Sequence, residues 1–168
     1  MYPYLAQQAL ATKNAAFLII LLDEGKNKGV RAIMVNRHDG LLGFPGGKLE
    51  GNETPLEAMV RECKEEIDFD VTPYLDKVRW LCSNKIASHM NSHAFFLEVS
   101  EVVFNKIVLN AAIHLVNNNF IELSGITAPT IFNVTEGKVV SLTQDFGAAT
   151  VYEELTHLIY NVLQESNL

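Results

Sequence analysis

Between Gly46 and Ile67 the chain passes from two adjacent glycines into its best-signalled helix. Thr54 offers an N-cap, Pro55 suits the first helical position, and Glu57, three residues after Thr54, completes a capping box. On such a helix Leu56, Met59, Val60, Cys63 and Ile67 share one face that would pack on a sheet, with Glu62, Glu65 and Glu66 on the opposite side. The i, i+3, i+4 spacing gathers three carboxylates whose mutual repulsion costs roughly a few tenths of a kcal/mol per pair, so something should compensate. Acids on most helices decorate a solvated face. Here a glycine-rich turn precedes them, and clustered hard oxygens with open coordination positions suit magnesium or manganese, which prefer carboxylates plus substrate phosphate oxygens. The turn could add a backbone carbonyl.

The rest of the chain reads as alternating strands, turns and helices, without repeats, low-complexity tracts or linkers. Residues 15–23 and 30–36 are rich in Ile, Leu, Val and Phe around a polar loop, which predicts an antiparallel pair whose first strand is buried on both faces. Residues 41–44 form a short strand ending at Pro45-Gly46-Gly47, where a loop begins. Residues 77–82 and 94–99 are strands, 101–115 a helix, and 148–163 a helix with apolar side chains at Val151, Leu155, Leu158, Ile159 and Val162. Residues 118–142 carry Gly125, Pro129 and Gly137, which favour short strands and turns.

A chain of 168 residues is read as one domain, 1–168. Its longest apolar run, residues 15–22, is far short of the about 20 a membrane span needs, and no signal-peptide pattern is present, so a cytoplasmic protein without membrane contact is expected. Cys63 and Cys82 stand outside any C-x-x-C pair and read as small core residues. The net charge of −7 disfavours a broad phosphate-binding surface. It suits a small anionic substrate bridged to carboxylates by divalent cations.

The segment GKLEGNETPLEAMVRECKEEIDF, from Gly47 to Phe69, resembles the Nudix signature, matching at full spacing through Gly47, Glu53, Arg61, Glu62, Glu65 and Glu66. Cys63 stands where an aliphatic is usual. Asp68 replaces a glycine that often needs a left-handed backbone, so a slightly strained helix end is expected. The resemblance implies a Nudix-type α/β/α sandwich with a mixed β-sheet. It further implies that Glu62, Glu65 and Glu66 ligate one to three Mg2+ (or Mn2+) ions, with the Gly46 carbonyl as an extra ligand. Glu53 and Arg61 would form an ion pair holding the loop against the helix.

The implied reaction is attack by a metal-bound water on one phosphorus of a P–O–P bridge. The proton acceptor is left among Glu62, Glu65 and Glu66, with Glu98, Glu122, Glu136 and Asp145 as candidates outside the signature. Upstream, Arg37 to Gly47 is similar to the Nudix subfamily that decaps small nucleolar RNA and hydrolyses inosine and xanthosine diphosphates. Ser88-His89, His93-Ala94-Phe95-Phe96 and Phe146-Gly147 echo clusters of that subfamily. Substrate-binding candidates are therefore Phe44, His89, His93 and Gly147, the last as a helix start that could meet a phosphate. Phe44, Trp80, Phe95 and Phe96 are candidates for stacking on a base.

The reading is a pyrophosphohydrolase acting on nucleoside diphosphates or compounds linked to them. An RNA 5′-cap decapping enzyme is one alternative, which would need Lys and Arg beside the cleft; Lys26, Lys28, Arg31 and Arg37 are the available cluster. A non-catalytic nucleotide sensor is another, opposed by the intact glutamates. The resemblance also admits a homodimer.

Overall fold

The computed structural model describes residues 13–25, 28–87, 90–118, 123–135, 138–142 and 149–163. β1 (Lys13–Asp23) organises the architecture, because its alternate side chains enter two separate cores. Ile19 and Leu21 point into one; Ala16, Leu18, Ile20 and Leu22 point into the other. A strand buried on both faces carries no polar alternation, which is why residues 15–22 are uniformly apolar.

β1 runs parallel to β7 (Met90–Glu98) and antiparallel to β2 (Val30–Ala32) and β5 (Gly46–Lys48). With β6 (Arg79–Ala87), β9 (Thr130–Thr135) and β10 (Lys138–Leu142) they form a mixed seven-stranded sheet, ordered β10-β9-β2-β1-β7-β6 with β5 beside β1. A second sheet holds β3 (Met34–Arg37) between β4 (Leu42–Gly43) and β8 (Leu123–Thr127).

On one face of the large sheet lie α1 (Pro55–Ile67) and α2 (Glu101–Asn118), burying Met59, Cys63, Ile67, Phe104 and Ile107 against Leu18 and Ile20. On the other, α3 (Ala149–Leu158) and the π-helical turn after it bury Val151, Leu155, Leu158, Ile159 and Leu163 against Ile19, Leu21 and Phe96. This is the expected α/β/α sandwich. Both cysteines are buried and free, and among the described residues no helix is long and apolar enough to cross a membrane.

Four local expectations need correction. The 30–36 run is two strands: β2 pairs with β1 over only three residues, and after Ile33 the chain enters the second sheet as β3. Gly46-Gly47 is not loop but strand β5, since pairing with Ala16 and Phe17 outweighs the low strand propensity of glycine. Residues 79–87 and 90–98 are longer strands than their apolar stretches suggest, lengthened by polar residues paired within the sheet. The three carboxylates of α1 do not share its solvent side: Glu62 and Glu66 are half-buried, and only Glu65 is exposed.

Candidate active site

α1 starts as its sequence dictates, the Thr54 hydroxyl oxygen accepting a hydrogen bond from the Glu57 N–H at 3.2 Å. It ends at Asp68, the one non-glycine residue of positive φ (52°) among those described. Its exposed carboxylate, held below its ordinary range by a hydrogen bond from Lys64, lies 2.7 Å from that ammonium.

Two glycines let this helix meet β5. Gly46 has φ +149°, and a Cβ there would collide with the carbonyl of Ala16; its N–H instead donates to Glu66 Oε1 at 2.9 Å. A Cβ on Gly47 would stand 2.5 Å from Glu62 Oε1, so a larger residue there would push that carboxylate out of its place. Glu62 and Glu66 thus close on two consecutive backbone units.

Arg61 supplies the compensating charge. Its guanidinium donates to Glu53 Oε1 at 2.6 Å and Oε2 at 3.1 Å, to Glu62 Oε1 at 3.0 Å, to Glu65 Oε2 at 3.1 Å and to the Lys48 carbonyl at 3.0 Å. Planar, with five fixed donors, it ties the 48–53 loop to the helix in one geometry. The Arg61 hydrogen bond holds Glu53 below its ordinary carboxylate range. Burial pushes Glu62 above its own, against the pull of Arg61.

Glu62 and Glu66 line a cavity of ≈ 930 Å³ together with Gly46, Gly47, Phe17, Phe44, Arg37, Ser92 and Glu154. The cavity therefore brings together five residues chosen from the sequence: Phe44, Gly46, Gly47, Glu62 and Glu66. Glu65, with its side chain 55% exposed, is outside the lining.

His93 is fully buried elsewhere, its Nδ1 2.7 Å from Ser83 Oγ and its Nε2 2.8 Å from Asn14 Oδ1. Asn14 Oδ1 can only accept, so Nε2 carries the proton and Nδ1 accepts from Ser83; burial lowers the ring's pKa to about 4. Trp80 donates to Ser83 Oγ, and Phe95 and Phe96 fill opposite cores. Glu98 is exposed, while His89, Glu122, Glu136, Asp145 and Gly147 lie outside the described residues. Arg31 is spent away from the cavity, on the Ala128 carbonyl, Glu24 and the Phe104 ring.

Sequence reasoning missed Ser92 and Glu154, whose side chains share a 2.7 Å hydrogen bond at the cavity wall. Glu154 stands three residues after Val151 and next to Leu155, on the apolar stripe of its helix. A carboxylate at a core position was the available signal.

Among the described residues no three His, Cys, Asp or Glu side chains form a preassembled metal cage. The donor set fits a hard cation nonetheless, because magnesium typically keeps several waters and takes one or two carboxylates plus substrate phosphates. Two half-buried carboxylates against backbone at the wall of an open cavity meet that description.

The NUDIX domain family matches residues 12–108, more than half of the chain. An 8-oxo-dGTP diphosphatase of Proteus vulgaris is 44% identical over 54 residues, covering 32% of this chain and 48% of the relative. A U8 snoRNA-decapping enzyme of Homalodisca vitripennis is 32% identical over 76 residues, 44% of this chain and 41% of the relative. The chain thus spans less than half the length of either. A mutT/nudix family protein from Listeria innocua superposes with a TM-score of 0.59 at 15% identity, over 93% of this chain and 97% of that one. With its fold, its glycine-anchored carboxylate helix and the family match in agreement, the chain belongs to the Nudix hydrolases.

Proposed function

We propose that the protein is a Mg2+- or Mn2+-dependent pyrophosphohydrolase that cleaves the diphosphate linkage of nucleoside diphosphates or compounds linked to them. The observation that carries this reading is the pair Glu62 and Glu66, the first close against Gly47 and the second hydrogen-bonded to the Gly46 N–H, at the wall of a cavity large enough for a nucleotide. Glu62, Glu65 and Glu66 would hold the cation, with the Gly46 carbonyl as a further oxygen. When bound, it lowers the pKa of water and offsets charge building on the phosphate oxygens.

The chain's own residues do the rest. Arg61 keeps Glu53 and the 48–53 loop in place and shares Glu62 and Glu65 until a cation competes for them. The proton of the attacking water would pass to one of the carboxylates of this cluster, Glu62, Glu65 or Glu66. Phe17 and Phe44 in the cavity wall offer rings to the nucleoside.

RNA decapping is the second reading, favoured by the similarity to the decapping enzyme and by Arg37 and Lys48 at the cavity wall. Arg37 is already paired with Asp39 at 2.9 Å, and the net charge is −7, which favours a small substrate. The test is phosphate or nucleotide release from inosine diphosphate, GDP, ADP-ribose, dinucleoside polyphosphates and capped RNA, with magnesium and with chelator. Chelator-sensitive turnover of a small diphosphate is expected. Turnover of capped RNA alone would promote decapping, and binding without turnover under either metal would return the protein to a sensor.

A further inference from the structure

α1 stops at Asp68, and both backbone N–H groups of the closing turn, those of Asp68 and Phe69, donate to the Cys63 carbonyl. The Glu65 carbonyl receives neither; it is one of the last four that a helix leaves without an internal partner. It is met instead from α2. Phe104, Ile107 and Ala111 form the buried stripe of α2, and His114, one turn beyond Ala111, continues that stripe toward the end of α1. Its Nε2 lies 2.7 Å from the Glu65 carbonyl oxygen. A carbonyl only accepts, so Nε2 carries the proton and donates.

The ring is itself held. Asn118 Nδ2 lies 2.9 Å from His114 Nδ1 and 2.8 Å from the His114 carbonyl, so one amide donates to both and fixes the imidazole plane. The last turn of α1 is thus tied on two sides, through the Glu66 side chain to the Gly46 N–H of β5 and through the Glu65 backbone to His114 of α2. Tied to β5 alone, this turn would fray as helix ends do, and fraying moves two neighbouring glutamates together.

We propose that His114 is a positioning residue for the cation. By holding the Glu65 carbonyl it sets the backbone turn that carries Glu65 and Glu66, and so the placement of their carboxylates. His114 stands outside the cavity lining and acts through the backbone of α1. The proposal rests on the reading above that these glutamates hold the metal.

The test is Mn2+ binding, read by electron paramagnetic resonance of the free ion, in the wild-type protein, His114→Leu and His114→Gln. Leucine keeps the bulk and removes the donor. The glutamine amide nitrogen stands as many bonds from the backbone as the imidazole Nε2 and can donate in its place. His114→Leu is expected to weaken binding about three- to tenfold, less than is usual for groups bonded directly to a ligating side chain, and His114→Gln to stay within about twofold of wild type. Unchanged binding in His114→Leu, or the same loss in both variants, would overturn the role. Should His114→Leu fail to fold, Asn118→Ala carries the test by freeing the ring: Mn2+ binding weakens in the same direction, or the assignment falls. Wild-type protein that binds no Mn2+ removes the cation reading and this role with it, whereas wild-type binding that His114→Leu leaves unaltered removes the role of His114 alone.

Discussion

The two ends of the cavity are built by opposite routes. The end over β5 is assembled from contiguous chain, with Gly46, Gly47, Glu53, Arg61, Glu62 and Glu66 inside one strand, loop and helix. The end over β7 joins Ser92 to Glu154 across 62 residues of sequence, and exists only because α3 docks on the sheet. Local assembly suits an arrangement that must be kept intact for chemistry. Long-range assembly ties that end of the cavity wall to the docking of α3 on the sheet.

The largest expected effect falls on the frame that both ends share. His93 links β7 to Asn14 of β1, and its pKa near 4 lies below the ordinary value of about 6.5. The unfolded chain takes up this proton first as pH falls, so the contribution is fully present above about pH 6.5 and is lost down to about pH 4. Over that window it amounts to about 3 kcal/mol. Urea melts at pH 7 and pH 5 should show a fall in stability that His93→Asn lacks.

Glu66→Gln should come next, lowering kcat at least about a hundredfold, equivalent to about 2.7 kcal/mol, with the fold intact by circular dichroism. Near-wild-type turnover would remove the chemistry from the β5 end. Glu53→Gln should cost less, about three- to tenfold, by loosening the loop that Arg61 holds, and this loss should not be recovered by added magnesium. The smallest effect is expected at Asp68, where glycine would relieve the left-handed strain (φ 52°) and raise stability by about 0.5–1 kcal/mol, read as a higher melting temperature.

The same contrast explains what could be read from the sequence. Thr54, Pro55 and the glutamates announced α1 because capping and spacing are local, and β1 announced burial on both faces through its unbroken apolar run. Gly46-Gly47 read as a turn because strand propensity is local, whereas its pairing with Ala16 and Phe17 depends on a strand about thirty residues earlier. The carboxylates were placed together on solvent, yet a helix seated on β5 has flanks, and Glu62 and Glu66 lie on one. His93 was chosen for its chemistry and sits in a buried hydrogen-bonded chain away from the cavity lining. Glu154 went unnoticed because an apolar stripe was read for its leucines.

The most direct test of this account is a steady-state comparison of Glu66→Gln with the wild-type protein, using GDP and magnesium. The account predicts that Glu66→Gln lowers kcat at least about a hundredfold while KM changes little. Full turnover in Glu66→Gln would contradict it.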